Sequence, residues 1–190
     1  MKQAWTSKLK ELTDMLWAPY VLEGEQGTTE LVYTLLQNPS FTYNEIFSPS
    51  QNPAVIYLQE KLNEYQHIME KEIQRFEKKK TVKDIFLIYE PEGSELRLSS
   101  KLSSILCDLN PDHIIIFRTR SSSIKGSYKY SLRRGNLKVN LAKIAEETAK
   151  KFPPAQGGGH PEAAGAYNIT DAEAFEEEFM EATKRELRNL

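Results

Sequence analysis

The chain has 190 residues, 39% hydrophobic and 27% charged, and a formal net charge of -2. That balance excludes wholesale disorder and any global attraction to phosphate, so contact with nucleic acid has to come from a local concentration of Lys and Arg. One cysteine, Cys107, excludes a disulfide framework and a cysteine-based zinc site within a single chain.

In chain order, Trp5, Leu9, Leu12 and Leu16 recur at helical spacing and predict a short amphipathic helix ending before Pro19. From Tyr20 to Pro53 three prolines and several Gly, Asn and Ser predict mostly connecting structure, with one helical island at Glu30 to Leu36. Pro53 opens a long helix with Val55, Leu58, Leu62, Tyr65 and Met69 in steps of three and four and Phe76 two turns on; Lys78, Lys79 and Lys80 suit its negative end. The period then changes. Ile85 to Tyr89 is a short apolar run that predicts a buried strand, closed by Pro91 and Gly93. Leu98, Leu102, Ile105, Leu106 and Leu109 predict a helix stopped at Asn110-Pro111, with Cys107 as a buried, inert thiol. Asp112-His113 reads as the entrance of the next buried strand, Ile114 to Phe117.

Between Ser127 and Arg133 the pattern alternates, placing Lys129, Ser131 and Arg133 on one face of a half-exposed strand and Tyr128, Tyr130 and Leu132 on the other. Leu141 to Phe152 form a helix ended by Pro153-Pro154, and a last helix starts at Thr170, which has capping-box spacing to Glu173. The strand-helix-strand order predicts an α/β fold with a mixed, partly parallel sheet flanked by helices. Residues 1–80 read as a helical extension with a connector helix and 81–190 as the main domain.

Two segments carry chemistry. Gln156-Gly157-Gly158-Gly159-His160-Pro161 reads as a glycine turn whose bare backbone can approach a phosphate, with His160 as an added donor. From Arg118 to Lys151 ten cations face only Glu146 and Glu147, a local basic region. If Lys129, Ser131 and Arg133 share a strand face, they form a row of phosphate donors leading to the glycines. The three histidines, His67, His113 and His160, and the scattered aspartates suggest no metal site and no cofactor.

Ser131-Leu132-Arg133-Arg134, then Val139 to Ala145, then Gly157 to Gly165, resemble in order and spacing the DHH-associated C-terminal domain of the RecJ/DHH phosphoesterase superfamily. The match spans roughly Ile85 to Ile169. It implies a domain that grips a nucleic-acid strand or nucleotide and assigns phosphate or sugar contact to Arg133, Gly158, Gly159 and His160; Lys129, Ser131 and Gly157, from the strand face and the glycine segment, and Arg134, where the family often has a small polar residue, complete the candidate contacts. In that superfamily catalysis belongs to a separate metal-binding domain, which is expected to be missing here, so no hydrolysis is expected. Within the superfamily the chain is similar to the archaeal RecJ-like replication proteins, which implies GINS and the MCM helicase as partners beside single-stranded nucleic acid. Two other roles stay open: an accessory or truncated part of a DHH-family phosphodiesterase, and a tRNA-binding module like the end of alanyl-tRNA synthetases. No signal core follows Met1 and no stretch approaches the ~18 apolar residues of a membrane span, so a cytoplasmic, nucleoid-associated protein without membrane contact is expected.

Overall fold

The computed structural model describes residues 2–40, 42–92, 97–121 and 124–189. The chain divides into two compact units, Met1–Lys71 and Glu72–Leu190. Gly93 and the side chain of Trp5 lie outside the described residues.

The first unit is helical: α1 (Lys2–Glu23), α2 (Glu25–Gln37), α3 (Tyr43–Ile46) and most of α4 (Pro53–Lys79). The predicted stop at Pro19 is corrected, because Pro19 lies inside α1. Proline there forfeits one helical hydrogen bond, and the buried stripe Met15, Ala18 and Val21 spans it, so packing outweighs the loss. The stripe itself is rotated from the predicted one: Leu9 and Leu16 are exposed. A close approach of α1 and α2 accompanies that rotation, since a Cβ on Gly27 would stand 2.1 Å from the Pro19 carbonyl oxygen. The segment expected to be mostly connecting is also more helical, with α2 and α3 in it: contact with α1 supports α2, and a Thr42–Glu45 capping box starts α3. In α4 the predicted seam holds, with Val55, Leu58, Leu62, Tyr65 and Met69 all buried.

The second unit contains β1 (Thr81–Lys83), β2 (Phe86–Tyr89), α5 (Ser99–Leu109), β3 (Ile114–Arg120), β4 (Tyr128–Arg134), α6 (Leu141–Ala149), β5 (Gln156–His160), β6 (Ala163–Ile169) and α7 (Ala172–Arg188). They form a mixed six-stranded sheet in the order β1-β2-β3-β4-β6-β5, flanked by helices. β2 and β3 are parallel through the α5 crossover, and every other pairing is antiparallel. Phe86, Ile88, Ile114, Ile116, Tyr130 and Leu132 bury one face against residues of α6 and α7, including Ile144, Phe175 and Phe179. α5 packs on β3 and β4, and burial of Leu87, Ile115 and Phe117 accounts for the uninterrupted apolar runs of the central strands.

Three expectations are corrected in this unit. The helix α7 is capped by Asp171, not Thr170: the Asp171 carboxylate accepts a hydrogen bond from the Ala174 N–H at 3.0 Å. β1 was not predicted, because Thr81-Val82-Lys83 is exposed and carries no apolar period. The glycine segment is an edge strand rather than a turn; the turn is Pro161-Glu162, which joins it to β6. Glycine disfavours strands by its own propensity, and here pairing with β6 and contact with α6 override it. Burial, with Asp108 beside it, pushes the Cys107 thiol upward in pKa, so it stays protonated.

Candidate nucleic-acid interface

Alternation along β4 turns Tyr130 and Leu132 into the core and leaves Lys129, Ser131 and Arg133 on the opposite face. Cross-strand partners project to the same side, so the register continues that face across β6 and β5. One row reads Arg133–Ala163–His160 and the next Ser131–Gly165–Gly158. In the third, Lys129 stands opposite a bulge of Tyr167 and Asn168, and Tyr167 stands opposite Gln156. Five of the predicted residues, Lys129, Ser131, Arg133, Gly158 and His160, therefore meet on one face. At about 4.8 Å per strand, the backbones of Arg133 and His160 are roughly 10 Å apart. A groove of about 570 Å³ lies on this face, lined by Lys129, Ser131, Gly165 and Tyr167 with Thr119 and Ser99.

The three glycines have different duties. A Cβ at Gly157 would stand 2.3 Å from the Ala145 carbonyl oxygen, so Gly157 lets α6 press against the strand from the core side. At Gly158 (φ 156°) a Cβ would meet nothing within 4 Å, which leaves the open face bare at the edge-strand end of its middle row. Gly159 sits against the hairpin backbone, where a Cβ would come within 2.6 Å of the Ala163 carbonyl oxygen.

Arg133 is the electrostatic focus. Its guanidinium donates to the hydroxyls of Ser104 and Ser100, both at 3.1 Å, and to the carbonyls of Leu132 at 2.9 Å and Ala164 at 3.4 Å. All four acceptors are neutral, and no ion pair among the described residues involves Arg133. Burial pulls its pKa below the usual arginine value, as for a cation short of counter-charge. Such a group is oriented by its serines and still gains from meeting an anion.

The rest of the basic region is mostly neutralised by carboxylates, some distant in sequence and some one helical turn away. Arg118 pairs with Glu90 and Glu176, both at 2.8 Å, and Arg120 with Glu90 at 3.6 Å. Lys143, Lys150 and Lys151 pair with Glu147, Glu146 and Glu178. Arg134 does not join the open face: it donates to the Pro161 carbonyl at 3.2 Å and the Glu162 carboxylate at 3.0 Å, tying the β5–β6 turn, and also to the Leu137 carbonyl. Among the described residues of 118–151, Lys125, Lys129, Arg133 and Lys138 are the cations left without a carboxylate partner. Sequence reasoning missed Gly165, Tyr167, Ser100 and Ser104. The signal for the first two was the run of small residues Ala163-Ala164-Gly165-Ala166 that ends in an aromatic at Tyr167.

The match to the DHHA1 domain family extends over residues 83–189, more than half of the chain. The chain belongs to the DHHA1 domain family. No curated protein matches it in sequence. By fold this DHHA1 chain is similar to RecJ from Thermus thermophilus in complex with Mn2+, with a TM-score of 0.61 and 14% identity over 94% of this chain and 24% of that one. It is similar also to PggH, a pGpG-specific phosphodiesterase from Vibrio cholerae, with a TM-score of 0.54 and 18% identity over 84% of this chain and 52% of that one. The DHHA1 chain thus spans between a quarter and about half of these proteins. Among its described residues no three His, Cys, Asp or Glu side chains gather where they could hold a metal ion. No helix among them is long and apolar enough to cross a membrane.

Proposed function

We propose that the chain binds a single-stranded nucleic acid or nucleotide by its phosphates on the open face of β4, β6 and β5, and that it binds without cutting. The observation that carries this is Arg133, a half-buried cation held by two serine hydroxyls and two carbonyls, in register with a bare glycine strand. Arg133 donates to phosphate oxygens, Ser131 adds a hydroxyl and Lys129 a second charge. Gly158 lets the ligand approach the backbone, and His160 offers a further donor at the strand end. Arg134 and Gly157 hold the hairpin in place instead of touching ligand. Membership of the DHHA1 family and the fold likeness to a phosphodiesterase that acts on pGpG support the choice of ligand.

Arg133→Ala is expected to weaken binding of a labelled single-stranded DNA and to flatten the plot of log affinity against log salt by about 0.7, the share of one phosphate contact. Unchanged affinity and slope in fluorescence anisotropy would remove Arg133 from the site. Incubation of the same oligonucleotide with the chain and Mg2+ or Mn2+ is expected to leave it intact, and cleavage would overturn the non-catalytic role.

More finely, we place the chain beside GINS and MCM in an archaeal replicative helicase assembly, on the strength of its sequence resemblance. Purification from native cells is expected to recover those proteins; recovery of a nuclease subunit or of tRNA would replace that assignment.

A further inference from the structure

We infer that Tyr167 is a stacking platform for a nucleobase, so that the open face takes a strand by a base as well as by its phosphates. This role builds on the phosphate site proposed above. Tyr167 is 44% exposed, and no other Phe, Tyr or Trp side chain among the described residues of 72–190 is exposed. It is presented by the bulge in which it and Asn168 together oppose Lys129, and Asn168 takes a left-handed conformation (φ 61°) there. Bulges re-aim side chains, and this one turns an aromatic ring toward the groove. The Tyr167 hydroxyl donates to Gln156 Oε1 at 2.8 Å, which tethers the ring to β5 before any ligand arrives.

Beside the ring, Gly165 and Gly158 put no side chain on the middle row of the face. A flat group can therefore lie next to Tyr167 without displacing anything, with the Lys129 charge close by. Four residues along the strand separate the Tyr167 row from the Arg133 row, roughly 13 Å. A base on the ring and a phosphate at Arg133 thus belong to one short strand. Every base has a π-face, so stacking is tolerant of sequence but needs a base free of its partner strand. The face accordingly selects single strands over duplexes and over ligands made of phosphate alone.

The test uses the full 190-residue chain and anisotropy with a labelled oligothymidylate and an abasic oligomer of equal length. Wild type is expected to prefer the base-bearing strand. Tyr167→Ala should lose that preference, weakening oligothymidylate binding by about tenfold or more while leaving the abasic oligomer and the salt slope unchanged; Tyr167→Phe should bind like wild type. Equal losses on both oligomers, or failure of Tyr167→Phe to restore binding, would make Tyr167 a structural residue and overturn the platform. Wild-type binding by Tyr167→Ala alongside loss in Arg133→Ala would overturn the platform and leave the phosphate site standing. If wild type binds neither oligomer, the phosphate site falls and the platform with it.

Discussion

The two halves of the sheet share one hydrogen-bonded ladder and use opposite side chains. β2 and the first four residues of β3 are Phe86, Leu87, Ile88, Tyr89 and Ile114 to Phe117, none more than 6% exposed. β5 and β6 are built largely from glycine and alanine, with their outer face open to solvent. A buried Ile or Phe contributes about 1.5–3 kcal/mol, whereas a glycine in a strand contributes no side-chain burial and costs conformational entropy. The first half holds the unit together. The second sacrifices that gain, letting α6 come close on one side and a ligand on the other.

The sharpest way to break this contrast is Ile116→Ala. Ile116 is fully buried, so the variant should lose about 2–5 kcal/mol in denaturant unfolding, while the molecules that remain folded keep their affinity for single-stranded DNA. Gly157→Ala should cost less, about 1–3 kcal/mol, because the new methyl meets the Ala145 carbonyl oxygen and α6 has to shift; a variant as stable as wild type would show that the close approach is dispensable. His160→Ala should have the smallest effect, within about 0.5 kcal/mol in thermal melting, because His160 is exposed, yet it should weaken DNA binding. A large drop in melting temperature would instead make the histidine part of the framework.

The residues that were easiest to interpret in the sequence are those whose burial follows a period. The seam from Val55 to Met69 announces a helix by its steps of three and four, and Ile114 to Phe117 announces a buried strand by its shortness, its β-branched residues and the Asn110-Pro111 break before it. The alternation in β4 likewise put Lys129, Ser131 and Arg133 on one face before any pairing was known. Arg134 was named as a further candidate contact, but the same alternation puts it on the other face, and no local pattern shows that its guanidinium is taken up by Glu162 and by the Pro161 and Leu137 carbonyls. The glycine strand was taken for a turn for a related reason: without side chains it has no pattern, and only its partners reveal it.

By itself, then, the sequence determined the order of the main elements, the mixed sheet and the arginine-bearing strand, all of which depend on local periodicity and burial. Tertiary structure alone decided that Gly158 and His160 stand in register with Ser131 and Arg133, that Arg118 and Arg134 are spent on carboxylates, and that Tyr167 faces the groove. Those outcomes depend on strand register and on charges brought together from far along the chain, which no run of neighbouring residues encodes.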